Sequence, residues 1–352
     1  MVASAKGRPS IPEVVRRPSS ENWCPFVSIR GYPLNGLGPI MVRRDFLRVS
    51  AASLLALLLA RPRLQAARPP PRLPFRFGLL TDPHFGDAET KGTRFYRDSL
   101  AKVREAVEQM RSARVRFLAV LGDLVMDTDP GVPEERVLSY VDGIEREIQR
   151  LGGATYHVLG NHDLDNLSKA QVLAHVTNTG IPAERSFYAF SAGALRFIVL
   201  DLEYLRDGRS YDHGNYDWRV YNVPPPELEW LRAELDAAAD PVIVFAHQRL
   251  DGEGDPQNDN RAEVRRLLEN SGKVLAVFQG HEHKGAYSLI NGIHYYTLRG
   301  VIEGAGADHN AYAVVDVHPD LSLTVTGYRD AVSMELPRPI TPARPRPWWK
   351  WW

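Results

Sequence analysis

Asp, Asn and His recur in five short clusters: Asp82-Pro83-His84, Gly122-Asp123, Gly160-Asn161-His162-Asp163, His247, and Gly280-His281-Glu282-His283. Carboxylate, imidazole and amide groups are ligands for hard or borderline cations. Two such cations about 4 Å apart require a shared carboxylate and several neutral or anionic donors to offset their charge. The sole cysteine, Cys24, lies far from every cluster, which excludes a thiolate metal site and a disulfide framework. Burying so many such side chains without a common partner would be costly, so the set reads as a metal centre rather than a polar core.

Each cluster follows a short apolar run. Phe75–Thr81, Phe117–Leu121, Thr155–Leu159, Val242–Ala246 and Val274–Gln279 are predicted strands, and Phe187–Ser191 with Leu195–Asp201 forms a hairpin turned at Ala192-Gly193. Helical spacing covers Thr93–Ser112 (Leu100, Val103, Val107 and Met110 on one face), Pro133–Leu151, Pro225–Ala239 and Arg261–Ser271. After His283 the chain turns to strands: Ala286–Ile290, an Asn291-Gly292 turn, Ile293–Leu298, Ala311–His318 and Ser322–Tyr328. Strands alternating with helices make an α/β domain, and the clusters then meet beyond the carboxyl ends of the strands, where ligands bind in such sheets.

In order and context the five clusters resemble the calcineurin-like metallophosphoesterases, over roughly residues 75–328. The resemblance implies a four-layer αββα sandwich. It also implies a dinuclear centre of manganese, iron or zinc in which Asp82, His84, Asp123 and His283 hold one ion. Asp123 bridges to the second, completed by Asn161, His247 and His281. The implied reaction is attack of a metal-activated hydroxide on phosphorus; His162 steadies the phosphoryl charge and protonates the leaving oxygen, and Asp163 orients His162. His157, His175, His213, His294, His309 and His318 default to packing or surface roles.

The run Gly280–Tyr287 followed by Gly292–Glu303 is similar to the manganese-dependent ADP-ribose/CDP-alcohol diphosphatase group. That group tends to carry Gln where this chain has His84, and His84 fits cyclic-nucleotide phosphodiesterases and the wider superfamily. Phosphodiester or pyrophosphate hydrolysis is thus favoured, with phosphomonoester hydrolysis as the alternative. A nuclease would need a basic groove, but Lys+Arg and Asp+Glu are 43 each and form no long basic strip. A binding module that had abandoned catalysis would normally have lost a ligand, and none is missing. Substrate choice is expected from Tyr204–Asn222, whose Arg206, Tyr211 and Trp218 suit a nucleotide-like phosphorylated small molecule, with Gln248–Asn260 as a wall of the mouth.

The ends lie outside this pattern. Residues 1–40 show no periodicity and read as a leader, with Met41 as an alternative start. Residues 41–67 hold Arg43-Arg44 ahead of the apolar run Val49–Ala60, which resembles a bacterial twin-arginine export signal. The run falls short of the roughly 20 apolar residues of a spanning helix. Periplasmic placement through the Tat machinery follows, or a membrane anchor if the signal stays uncleaved. The domain spans 75–330. Residues 331–352 form a Pro/Arg/Trp-rich tail ending in Trp348-Trp349-Lys350-Trp351-Trp352, a composition that favours a membrane interface.

Overall fold

Strands that are apolar on both faces must be covered on both faces, and here they are. The computed structural model describes residues 75–126, 131–252 and 259–338. One six-stranded sheet contains β1 (Phe75–Leu80), β2 (Phe117–Val120), β3 (Ala154–His157), β10 (Ala311–Val317), β11 (Leu323–Arg329) and β12 (Met334–Leu336), in the order β12-β11-β10-β1-β2-β3. The other contains β4 (Tyr188–Ala192), β5 (Leu195–Val199), β6 (Val242–Phe245), β7 (Val274–Gln279), β8 (Ala286–Ile290) and β9 (Ile293–Thr297), in the order β4-β5-β6-β7-β9-β8. Strands β1, β2 and β3 are parallel, as are β5, β6, β7 and β9. The antiparallel strands flank them.

Period-two alternation sorts each strand between two cores. Phe75, Phe77 and Leu79 of β1 point between the sheets, with Phe117, Phe197, Phe245 and Phe278. Leu80, Leu118 and Val120 point the other way, onto α1 (Ser99–Ser112), α2 (Glu134–Ile148) and α3 (Lys169–His175). The second sheet is covered by α4 (Pro225–Ala237) and α5 (Arg261–Ser271), through Leu231, Leu235, Val264 and Leu268. The architecture is therefore the expected four-layer αββα sandwich.

Three departures from the sequence reading have local causes. Helix α1 begins at Ser99 rather than Thr93 because the preceding strap is recruited by another loop. Phe95 N donates to Ile302 O at 3.1 Å, and Thr93 O accepts from Gly304 N at 2.8 Å. Helix α3 went unrecognised because seven residues are too few for periodicity, although its Ser168/Gln171 capping box is visible in the sequence. Strand β12 lies within the segment assigned to the tail, and its pairing with Leu323–Val325 moves the domain edge past residue 330. The twin-arginine segment, residues 1–40 and the Trp-rich end lie outside the described residues.

Phe77 is the hub of the inter-sheet core. It stacks on Phe117 at 5.2 Å and meets Phe197, Phe245 and Phe278 edge-on at 5.6, 5.9 and 5.8 Å. Phe77→Ala removes these four ring contacts and a fifth to Phe75, and leaves a cavity between two sheets that cannot collapse independently. A loss of about 3–5 kcal/mol is expected in equilibrium denaturation, with an unchanged denaturant slope.

Candidate metal centre

The five clusters emerge from the carboxyl ends of β1, β2, β3, β6 and β7, where the two sheets abut. Close approach is the first requirement. A Cβ on Gly122 would lie 2.5 Å from His247 Nδ1, and one on Gly160 would lie 2.3 Å from Asp123 Oδ1, so neither position admits a side chain. The second requirement is sharp re-aiming of the chain. Asp82, His84, Asp123 and His281 all adopt left-handed backbone, with φ of 51, 44, 53 and 67°. Such conformations cost about 1–3 kcal/mol each outside glycine and persist only where the surroundings enforce them.

The side chains converge in overlapping groups. Asp82, His84 and His283 form one, and Asp123, His247 and His281 another, each with ligand atoms within 4.8 Å of one another. Asp123 joins them, its Oδ2 lying 3.5 Å from His84 Nε2 and 3.1 Å from His247 Nε2. His84, Asp123 and His162 make a third group between the two. Both carboxylates are held by neighbours. Asp123 Oδ1 accepts from His162 N at 2.8 Å, and Asp82 accepts from Thr81 Oγ1 at 2.6 Å and from His281 N.

Hydrogen bonding decides whether this set fits a metal. His247 Nδ1 donates to Leu121 O at 2.7 Å, so in the neutral ring Nε2 carries a lone pair aimed at Asp123. His283 Nδ1 donates to Glu303 Oε1 at 2.7 Å, and its Nε2 faces Asp82 Oδ1 at 3.5 Å and His84 Nε2 at 3.1 Å. Acceptors facing acceptors require a cation between them. Asn161 is fully buried, and neither polar atom of its side-chain amide has a hydrogen-bond partner among the described residues. A buried amide left this way is expensive unless it serves as a ligand. The residues fit two metal ions, with Asp123 common to the two groups that would hold them.

Without metal, protons must play that part. Burial opposes the charged form of His247, but the Asp123 carboxylate outweighs it and pushes its pKa up to about 10. Burial likewise opposes the charged form of His283, and hydrogen bonds to Asp82 and Glu303 push it up to about 9. Burial and the neighbouring His247 lower His281 to about 3. Burial alone would raise the Asp123 carboxyl, but His247 and His162 hold it far below the usual range.

The residues expected to act beside the metals divide. His162 lines the cavity above the centre, and its Nδ1 lies 2.8 Å from Asp165 Oδ2. Asp163 was expected to orient His162 and does not. It is buried, and its oxygens accept from Leu124 N at 2.7 Å and Gly160 N at 2.9 Å, clamping the loops after β2 and β3 together. Asp165 takes the orienting role, and the Tyr216 hydroxyl lies within hydrogen-bond reach of both Asp165 and Asn161 O. Glu303, which fixes the His283 ring, was also not assigned. Asp165 stands two residues beyond Asp163 in the same run, so its presence was legible although its direction was not.

The proposed substrate loop also divides. Trp218 is exposed at the cavity lip, its ring 5.8 Å from that of His281. Tyr211 is 0% exposed, stacks on Tyr216 at 4.2 Å and donates to Val220 O, so it packs the loop and cannot touch a substrate. Arg206 lines a separate concavity with Pro224 and Arg232. Among the described residues of 248–260 none lines the cavity; Gln248 is buried and donates to Glu203. His157 is buried beside Glu145 at 3.1 Å, a packing role as expected.

Residues 75–285 match the family model described as calcineurin-like phosphoesterase. The chain belongs to that family. Among curated proteins it is 28% identical over 305 residues to a manganese-dependent ADP-ribose/CDP-alcohol diphosphatase of Danio rerio, covering 70% of this chain and 93% of the relative. It is 26% identical over 302 residues to the protein of the same description from Oryza sativa subsp. japonica, covering 71% and 90%. Among solved structures, a dimetal phosphatase from Danio rerio shares the fold, with a TM-score of 0.63, 23% identity and coverage of 75% of this chain and 99% of that one. The protein is thus a phosphoric ester hydrolase of the metallophosphoesterase fold.

The proton-held state has a pH signature. His247 and His283 bind protons in the folded metal-free protein up to about 10 and 9, against about 6.5 when unfolded. A raised pKa contributes stability that is complete below the unfolded value and is lost as pH rises through the folded one. Chelator-stripped protein should therefore lose thermal stability between about pH 7 and 10. Saturating manganese should flatten that decline, and parallel melting curves with and without metal would refute the assignment.

Proposed function

We propose that this enzyme hydrolyses a phosphodiester or pyrophosphate bond in a nucleotide-like small molecule, using two metal ions. The observation that carries the reading is the composition of one cavity of about 900 Å³. Asp123, His162, His281 and His283 of the metal centre line it, and so do Trp218, Arg94, Lys284 and Arg299. A lone phosphomonoester is served by the metals and His162. Three further cations and an indole are chemistry for a second phosphate and a flat ring. Arg299 is steadied for that task by donating to Lys284 O at 3.0 Å and Asp330 O at 3.1 Å. The diphosphatase descriptions of the curated relatives support the same substrate class.

The ions, when bound by Asp82, His84, Asp123, Asn161, His247, His281 and His283, supply Lewis acidity and an activated water. The protein's own groups do the rest. Asp165 accepts the Nδ1 proton of His162 and leaves Nε2 to the cavity; in the imidazolium form, which the Asp165 carboxylate stabilises, Nε2–H can donate to the phosphoryl oxygens and the departing oxygen. Tyr216 locks Asp165 in that orientation and ties the Tyr204–Asn222 loop to the centre. His84, at the position where the diphosphatase group tends to carry Gln, makes cyclic nucleotides the second substrate class to test.

Metal-reconstituted protein should be assayed on ADP-ribose, CDP-alcohols, cyclic nucleotides, and aryl mono- and diesters. A nucleoside diphosphate or cyclic diester should give the highest kcat/KM, and preference for monoesters would overturn the reading. Trp218→Ala should lower kcat/KM on the preferred nucleotide about tenfold or more while sparing a small aryl diester. His162→Asn should lower turnover about 100-fold with metal retained, and less for a nitrophenol leaving group that needs no proton. An equal deficit for all leaving groups would make His162 a charge-stabilising residue alone.

We also propose export through the twin-arginine pathway, supported by Arg43-Arg44 and the apolar run that follows. Arg43→Lys with Arg44→Lys should strand active enzyme in the cytoplasm of a Tat-competent bacterium, and unchanged export of that variant would refute the route.

A further inference from the structure

Lys102 lies on α1, a helix that otherwise presents Val103, Ala106, Val107 and Met110 to an apolar core. Its side chain is 0% exposed. A buried ammonium is costly unless its charge is compensated and its three N–H donors are used. Here every acceptor is a main-chain carbonyl: Val301 O at 2.9 Å, Glu303 O at 2.9 Å, Gly304 O at 2.6 Å and His309 O at 3.3 Å. All four belong to one segment, residues 301–309. The ammonium thus occupies a carbonyl cage of the kind that a small cation would otherwise fill.

That segment adjoins only one half of the metal centre. Its start is sewn to the loop after β1, Val301 N donating to Thr81 O and Ile302 N to Asp82 O, both at 3.1 Å. Glu303 then reaches His283, which belongs with Asp82 and His84. His247, of the other half, is oriented instead by Leu121 O. The carbonyl of Glu303 is held by Lys102, and its carboxylate holds His283.

We propose that Lys102 is a positioning residue for the metal site of Asp82, His84 and His283, acting through Glu303. The proposal rests on the two-metal reading of the centre. Lys102 pins the backbone of Glu303, Glu303 fixes the His283 ring, and the ring presents Nε2 to the ion. Loss of the ammonium frees the segment to drift and lets the ring turn, while the site of Asp123, His247 and His281 keeps its own anchors.

Two measurements test this. In chelator-stripped protein, Lys102→Met should speed amide hydrogen exchange of residues 301–309 about tenfold or more, leaving the core of α1 protected. This readout needs no metal, and unchanged exchange in 301–309 or collapse of protection throughout the domain would overturn the proposal. In manganese calorimetry, one of two binding steps should weaken about tenfold or more, the scale of losing an outer hydrogen-bond partner of a metal ligand. Glu303→Gln should weaken the same step, and the double variant should be no worse than Glu303→Gln alone. Equal weakening of both steps, or defects that multiply, would make Lys102 a general fold residue and refute the route through Glu303. If Lys102→Met does not fold, Lys102→Arg keeps the charge and misplaces the cage; it should show the same split between steps, and failure to do so overturns the proposal. A wild-type protein that binds no manganese would overturn the two-metal reading, and the exchange result would then still decide whether Lys102 holds the segment.

Discussion

Asp123 is a carboxylate buried at the seam of two sheets, and it has to satisfy groups arriving from both. One oxygen accepts the His162 amide from the loop after β3, and the other faces imidazoles that follow β1 and β6. An anion so placed is tolerable only if cationic charge surrounds it. Much of the local architecture answers that demand: left-handed backbone at four of the converging residues, and glycines where the loops nearly touch, Gly122 across the two sheets and Gly160 within one.

The cost of that strain is met elsewhere. The two sheets are locked by a cluster of phenylalanines centred on Phe77, a contact too dense to slide without breaking several ring pairs at once. A rigid inter-sheet core fixes the distance between the ends of β1, β2 and β3 on one side and β6 and β7 on the other. The loops therefore meet at a spacing set by packing, and the site inherits its precision from that core.

Around the converging side chains runs an outer set of anchors. Leu121 O orients His247, Glu303 orients His283, and Asp165 with Tyr216 orients His162. Each anchor comes from a different part of the chain from the ring it holds or lies just past it, and each fixes which nitrogen carries the proton. Such partners tune basicity as well as direction. They also explain why the Tyr204–Asn222 segment is partly structural: Tyr211 and Tyr216 pack it to the centre, and Trp218 alone of its proposed contacts reaches the cavity lip.

The amino-acid sequence by itself determined the residue types of the centre, their order and the strands that carry them. Runs such as Val242–Phe245 and Val274–Gln279 are apolar on both faces, and each ends abruptly in a polar cluster, so strand and loop are both local signals. It also displayed α5 as Arg261–Ser271, because an amphipathic period with a Gly stop needs no distant partner. Tertiary structure alone decided the direction of side chains within the same run. Asp163 and Asp165 differ by two positions, yet one clamps backbone amides and the other orients a histidine. It decided that Tyr211 is buried, that Arg206 faces another concavity and that residues 93–95 strap a loop instead of starting a helix. Those outcomes depend on which groups the packed fold brings alongside, such as Leu124 N beside Asp163 and Ile302 O beside Phe95, and no periodicity in the chain encodes such a partner.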